Sequence, residues 1–239
     1  MISVEQESKD VVVQDNELIE ACYTMTLREK QLLLLGISKV NPHEFPKKDN
    51  PFKFSVTTEE WNEYFPGSNA YRDLKTAAKL LRPRFVKLHD KANIEEEINW
   101  FDSIRYYKGE GRVEMRFGWS VQVRLSGMIE KFTKVDLLSV SKLNSIYSVR
   151  LYELLMQFKS TGYRVISVED FRFSMDCVKA YPRYADLKRK VLMPAVNEIN
   201  AKSEIDIKLE ELKKGRSIVQ FMFTFKDQPQ KDLFGSSRI

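Results

Sequence analysis

The sequence predicts an α+β fold made of two similar halves, on the basis of its length, its composition and an ordered internal repeat. A chain of 239 residues is long enough for two domains of ordinary size. Hydrophobic residues make up 43% and charged residues 31% of the chain, which is typical of globular proteins. Three segments of the first half recur in the same order in the second half. We therefore expect an internal duplication, with domains at residues 1–125 and 126–239.

The first recurring segment is a strand that leads into a capped helix. Residues 54–61, FSVTTEEW, resemble residues 163–171, YRVISVEDF. Thr57 and Ser167 each stand ahead of two acidic residues and an aromatic residue. A hydroxyl at the N-cap and acids in the first turn satisfy free N–H groups and suit the helix dipole. Each half is therefore predicted to contain a short strand followed at once by a helix.

Two further segments recur around this strand and helix. Before the strand, Thr26 opens a capping box and a leucine-rich helix, whose counterpart is a helix over residues 145–159. After the strand, residues 71–75, YRDLK, resemble residues 184–188, YADLK, and both open a helix that runs toward a proline. In the second half this proline is Pro194, which we expect to kink or split the helix.

Each half closes with a predicted β-hairpin. In the first half the strands are residues 94–108 and 112–123, and in the second half they are residues 205–212 and 217–226. Alternation of apolar and polar residues supports the second pair. Helix, short strand, helix, helix and hairpin is the element order of a winged helix. The sequence therefore predicts two tandem winged-helix domains related by internal duplication.

The predicted helix that starts near Pro182 is the candidate for reading DNA. In a helix-turn-helix the second helix enters the major groove, and its first residues meet base edges. Helical rotation places an apolar cluster on one side and Arg183 and Arg189 on the other. Arginine pairs with two acceptors of guanine, so these two residues are the base-reading candidates. The candidates for phosphate contact on this helix are Tyr184, Lys188 and Lys190.

Two other basic segments are candidates for phosphate contact. The turn of the second hairpin contains Lys213, Lys214 and Arg216, and wing tips of this kind commonly reach phosphate or the minor groove. On the equivalent helix of the first half, cations recur at three- and four-residue spacing, at Arg72, Lys75, Lys79 and Arg82. The alternative interpretation of every basic segment is a solvated charged surface. For the first half, a dimerisation surface is a further alternative.

The chain lacks the common sequence signatures of enzymes and metal sites. It contains no Walker A loop, no GxGxxG segment and no GxSxG segment. Its two histidines and two cysteines are far apart in the sequence. Acidic pairs such as Glu210-Glu211 are interpreted as helix caps or surface charge. We therefore expect a protein that is not an enzyme and binds no metal or cofactor.

Charge and hydropathy predict a cytoplasmic protein. The net charge of +5 is compatible with phosphate-bearing partners. Residues 1–10 are polar and acidic, unlike a secretory signal peptide. No apolar run approaches the roughly 20 residues that are needed to cross a bilayer. We therefore expect no membrane partner.

Four segments in order resemble the iteron-type plasmid replication initiators, which bind directly repeated origin sequences called iterons. These segments are residues 13–21 with 26–34, residues 148–155 (SVRLYELL), residues 186–200 (DLKRKVLMPAVNEIN) and the basic turn 213–216 with the apolar strand after it. The resemblance extends over residues 11–226. It implies that the C-terminal winged helix reads the iteron in the major groove, with Arg183 and Arg189 where the family's base-reading arginines lie.

The resemblance also implies partners and a second role. The N-terminal winged helix would contact neighbouring DNA backbone in the monomer and form the interface of a homodimer. Monomers of this family typically bind iterons and help to melt the origin, whereas dimers often repress the initiator's own promoter. The host replication initiator and helicase are further partners that the resemblance suggests.

Two other functions stay open at this point. A winged-helix transcription repressor without an initiation role would bind a single inverted repeat rather than an array of direct repeats. A protein-interaction module would bind its partner with little dependence on salt, whereas binding through several phosphates weakens steeply as salt rises.

Overall fold

The computed structural model describes residues 10–89, 95–107, 109–126 and 132–228, which form a mixture of helices and strands. The elements of the first half are β1 (Val11–Asp15), α1 (Asn16–Glu20), α2 (Leu27–Ile37), β2 (Lys53–Thr57), α3 (Thr58–Tyr64), α4 (Ala70–Leu81), β3 (Phe85–His89), β4 (Glu95–Asn99), β5 (Phe101–Tyr107), β6 (Arg112–Phe117) and α5 (Trp119–Arg124). Those of the second half are β7 (Phe132–Asp136), α6 (Leu137–Ser141), α7 (Ile146–Met156), β8 (Tyr163–Ser167), α8 (Val168–Ser174), α9 (Tyr184–Leu187), α10 (Met193–Lys202), β9 (Ile205–Lys214) and β10 (Ser217–Asp227).

Each half contains a three-stranded antiparallel sheet with the same strand order. The order is β2–β6–β5 in the first half and β8–β10–β9 in the second. In both sheets the first strand leads directly into a helix, and the side chain of the predicted cap, Thr57 or Ser167, accepts a backbone N–H of that helix. Because the same element order occurs twice, the prediction of two tandem winged helices related by duplication is confirmed.

A further duplicated unit, which the repeats in the sequence did not indicate, joins the two halves. β1 with α1 corresponds to β7 with α6, and Asp15 and Asp136 are the equivalent helix N-caps. β1 pairs with β7 in antiparallel register, from Val11 opposite Asp136 to Asp15 opposite Phe132. Each strand thus pairs with its own counterpart. The domain boundary at residues 125/126 stays a prediction, and this strand pair crosses it.

Aromatic and aliphatic side chains fill the space between the helices and the sheet of each half. In the first half, Trp61 and Phe65 pack with ring centroids 4.9 Å apart, and both are buried. In the second half, Phe171 meets Phe221 edge to face at 5.1 Å, and both are buried as well. Burial of such large apolar side chains is the main force that holds each half together.

The first hairpin differs from its prediction, because its predicted first strand is two strands. β4 pairs with β3, whereas β5 pairs with β6 in the three-stranded sheet. Trp100 lies between β4 and β5 with a fully buried side chain, and its backbone N–H donates to the Arg84 carbonyl. This buried anchor turns the chain from one sheet to the other. Ile94 and Lys108, the ends of the predicted strand, lie outside the described residues.

The predicted second strand of that hairpin ends early, at Phe117, and residues 119–124 form α5 instead. The buried Gln122 side chain accepts the Phe52 N–H at 2.6 Å and donates to the Phe117 carbonyl at 2.7 Å. These two bonds satisfy backbone groups at the end of the strand and hold α5 against it. Alternation of apolar and polar residues does not reveal such a side-chain contact.

Candidate nucleic-acid interface

The reading helix, which we define as residues 184–202, begins two residues later than predicted. Arg183 is its N-cap, with extended backbone angles of φ −79° and ψ 131°, so Pro182 lies ahead of the cap. The Arg172 guanidinium donates to the carbonyls of Tyr181 and Pro182. These bonds hold the preceding chain in place, and a residue before proline itself favours extended backbone. Pro182 is therefore not the first helical residue.

Pro194 does not split the reading helix. Leu192 and Met193 keep helical φ angles of −65° and −66°. Residues 188–192 form a π-helical turn directly ahead of the proline. The wider turn changes which carbonyl each N–H reaches, so the missing N–H of Pro194 is accommodated without a break. This turn contains Arg189, which places the irregularity at a predicted base-reading residue.

The reading helix has one buried face and one exposed face, as its helical phase predicts. The buried side chains are Leu187, Val191, Leu192, Ala195 and Ile199. Arg183 and Arg189 are exposed. Their orientation agrees with the prediction, and their contact with bases stays a prediction.

Asp186 holds two cations of the exposed face. The Arg189 guanidinium lies 3.0 Å from its carboxylate and the Lys190 ammonium lies 3.8 Å from it. The Arg189 side chain is nevertheless 73% exposed. Ion pairs between exposed groups contribute little stability, so a phosphate or a base can replace Asp186 at small cost.

Lys188 and Tyr184 attach the reading helix to the wing strands. The Lys188 ammonium lies 2.7 Å from the Glu211 carboxylate on β9, and the Tyr184 ring stacks on Phe221 of β10 at 6.2 Å. Burial and the nearby Glu211 raise the pKa of Tyr184. Burial alone would raise the pKa of Glu211, but the nearby Lys188 ammonium and Tyr184 hydroxyl lower it. Glu211 is therefore an internal partner, neither the helix cap nor the surface charge that the sequence predicted.

The tip of the second hairpin is basic and exposed, as predicted. Gly215 has a φ of +62°, which only glycine adopts without strain, and Ser217 pairs with Lys214 to close the turn. The exposed cations at this tip are Lys213, Lys214 and Arg216. A tight turn keeps them together at the end of two long strands, in reach of a surface beside the reading helix.

α4 carries the corresponding basic face of the first half. The exposed cations on this helix are Arg72, Lys75 and Lys79, and its C-cap, Arg82, is exposed as well. Its opposite face is buried through Leu74, Ala77, Ala78 and Leu81. The helix therefore presents a continuous cationic stripe to solvent. Its contact with phosphate stays a prediction.

Within residues 10–89, 95–107, 109–126 and 132–228, no three His, Cys, Asp or Glu side chains are grouped so that they could hold a metal ion. No helix in the same ranges is long and apolar enough to cross a membrane.

Comparison with protein families finds two consecutive matches. The family described as initiator replication protein, WH1, matches residues 11–156. The family described as initiator Rep protein, WH2, matches residues 167–225. Together these matches extend from β1 to β10.

Two proteins of Escherichia coli are similar to this chain over most of its length and of their own. The chain is 27% identical to the PI protein of Escherichia coli, over 88% of this chain and 80% of that protein. It is also 27% identical to a replication initiation protein of Escherichia coli, over 95% of this chain and 72% of that protein. The crystal structure of Pi initiator protein in complex with iteron DNA has a TM-score of 0.78 at 24% identity. The match covers 92% of this chain and 98% of that one, which shows a shared fold.

Proposed function

The chain belongs to the initiator replication protein family, and from this premise we propose that it initiates plasmid replication by binding iterons in duplex DNA. The proposal rests on the two faces of the reading helix. One face is buried in the core, and Arg183 and Arg189 on the other are exposed. The N-terminal part of the helix enters the major groove, where both arginines read guanine. The wing cations Lys213, Lys214 and Arg216 hold adjacent phosphates.

The first half supplies a second contact. The exposed cations of α4 meet the backbone beside the segment that the reading helix occupies, and this contact adds affinity without base specificity. The same half forms the homodimer that represses the initiator's own promoter. Exposed apolar side chains of this half support that role: Phe85 is 40%, Trp119 44% and Val123 50% exposed.

Strand melting then follows from binding energy rather than from catalysis, and the protein acts in the cytoplasm. The host replication initiator and helicase join the bound origin as partners. Family membership favours initiation over a repressor without an initiation role.

The test uses fluorescence anisotropy to measure the affinity of the protein for two labelled duplexes across a salt series. One duplex holds the direct repeat beside the gene, and the other is a scrambled sequence of equal length. We expect clear preference for the repeat. We also expect the logarithm of affinity to fall by about 0.9 per neutralised phosphate for each tenfold rise in salt. Equal binding to both duplexes by a protein held monomeric would contradict iteron recognition. Tighter binding to an inverted than to a direct repeat would favour the repressor.

A further inference from the structure

A cluster of charged side chains is completely buried where the two halves meet. The Lys30 ammonium lies 2.7 Å from the Glu153 carboxylate and donates to the Tyr23 hydroxyl at 2.7 Å. Arg150 also donates to the Tyr23 hydroxyl, and its guanidinium lies 3.9 Å from Glu153. The side chains of Lys30 and Glu153 are 0% exposed and that of Arg150 is 3% exposed. We call these four residues, with Gln14, the junction network.

Both halves contribute to the junction network. Tyr23 and Lys30 belong to the first half, while Arg150 and Glu153 lie on α7 of the second. Gln14 of β1 donates to Glu153 at 2.7 Å. The Arg150 guanidinium also donates to backbone carbonyls of both halves, at 2.6 Å to Ala21 and 2.6 Å to Ser174. The network therefore links α2, α7, β1 and the end of α8 through directional bonds.

Stability alone does not explain such a cluster. Removing charges from water costs as much as their attraction returns, and apolar side chains of similar volume often serve a core equally well. Charge-assisted hydrogen bonds differ from apolar contacts because they require fixed distances and angles. If one half moved by about an ångström relative to the other at this point, several of these hydrogen bonds would break together. The network is thus suited to fixing an orientation.

We propose that the junction network sets the orientation of the two winged helices, so that they engage DNA at one fixed separation. Its members are positioning residues, since none of them reaches the surface. This inference rests on the proposed function in one respect: the separation matters if both halves contact the same duplex. Two sites held rigidly at matching spacing bind far more tightly than two sites whose geometry is loose or mismatched.

The first experiment needs no DNA. Spin labels at two exposed positions, Glu63→Cys on α3 and Lys208→Cys on β9, report the distance between the halves in a chain whose own cysteines are replaced by serine. We expect a narrow distance distribution in the parent protein and a broad one in Tyr23→Phe and Glu153→Gln. Glu60→Gln, which removes the surface ion pair with Lys39, is the matched control and should leave the distribution narrow.

The second experiment uses the direct repeat beside the gene, intact or with one base pair inserted between the segments that footprinting assigns to each half. The parent protein should prefer the intact repeat by about tenfold, and the two network variants should lose this preference. Affinity for a duplex that holds only the segment of the second half should not change. Folded variants that keep both the narrow distribution and the spacing preference would overturn the proposal.

The two proposals fail in different ways. If the parent protein does not distinguish the repeat from a scrambled duplex, iteron recognition fails, while the distance distributions still decide the positioning role. Thermal melting establishes that each variant is folded. Should Glu153→Gln unfold, Tyr23→Phe carries the test, because it keeps the ring that packs edge to face on Trp100 at 5.6 Å.

Discussion

Two arginines of the exposed face occupy different backbone settings. Arg183 is an N-cap on extended backbone, whereas Arg189 lies inside the π-helical turn. Both side chains are exposed, and the Arg189 guanidinium lies 3.0 Å from the Asp186 carboxylate. Ion pairs between exposed groups contribute little stability, so neither arginine is held in one position before it binds.

Replacing Arg189 by alanine should weaken binding to the direct repeat by about 1–3 kcal/mol and relax the preference for one base pair. The reason is the loss of a two-acceptor contact with guanine. Anisotropy titrations against the repeat and its single-base variants measure the effect. Lys202→Ala, at the far end of the same helix and paired with Glu198 at 2.7 Å, is the control. Equal losses on every sequence would instead identify Arg189 as a phosphate contact.

Glu29 is a buried carboxylate with a structural role. The Arg84 guanidinium lies 2.6 Å from it, and it accepts the Thr26 N–H at 2.8 Å in a capping box. Burial alone would raise the pKa of Glu29, but the bonds from Arg84 and Thr26 lower it below 4.5. The folded state thus binds this proton more weakly than the unfolded state. The stability that results is present above pH 4.5 and is lost as the pH falls through the lowered pKa.

Glu29→Gln should therefore destabilise the protein at pH 7, by about 1–3 kcal/mol, since bonds to a charged group are lost. The difference from the parent protein should shrink as the pH falls below 4.5. Urea unfolding at several pH values measures this. The control Glu60→Gln, which removes the partly exposed ion pair with Lys39, should change stability little at any pH. A difference that stays constant down to pH 3 would contradict the assigned role of the Glu29 charge.

At the scale of elements, α2 packs unusually close to the first sheet. A methyl group added at Gly36 would overlap the ring of Phe54 on β2. Gly36 is buried inside a helix, where alanine is ordinarily the better residue by about 1 kcal/mol. Here the close approach of strand and helix outweighs helix propensity.

Gly36→Ala should consequently destabilise the protein by about 1–3 kcal/mol, although it raises helix propensity. Thermal or urea unfolding measures the sign. Adding Phe54→Leu should recover part of the loss, because a smaller side chain makes room for the methyl group. An increase in stability on Gly36→Ala alone would show that the Phe54 ring moves aside at little cost.

The reading helix and the wing form a single unit at this scale. The Lys188–Glu211 ion pair and the stacking of Tyr184 on Phe221 join helix to hairpin. Helical phase predicted which face of the helix is exposed, since the 3.6-residue period lies in the sequence itself. It did not reveal Glu211, because that residue reaches Lys188 through the fold and not through any local spacing.

At the scale of the whole molecule, the pairing of β1 with β7 joins the two similar halves. Val12 and Val135 face each other in this pair, and both are 0% exposed. The junction network lies beside the pair, since Gln14 of β1 takes part in it. We expect the halves to unfold together, because each buries part of its core against the other.

Val135→Pro should uncouple the halves. Proline removes the N–H of a paired strand residue and disturbs the register, so the contact between β1 and β7 weakens. Calorimetry should show one transition in the parent protein and two in the variant. Thr224→Pro, in β10 between its two neighbouring strands, is the comparison: it should lower the unfolding temperature but keep a single transition, because β1 and β7 still pair. A single transition in Val135→Pro would show that the halves are coupled elsewhere.

The local features of this protein can be predicted from its amino-acid sequence. Capping hydroxyls, helical phase, the basic hairpin turn and the duplicated order of elements each depend on neighbouring residues, so they are legible in the chain. Contacts between residues far apart in sequence determine the division of the first hairpin at Trp100, the role of Glu211 and the junction network, and such contacts exist once the chain has folded. The π-helical turn ahead of Pro194 is local, but the hydrophobic period of the sequence does not indicate it.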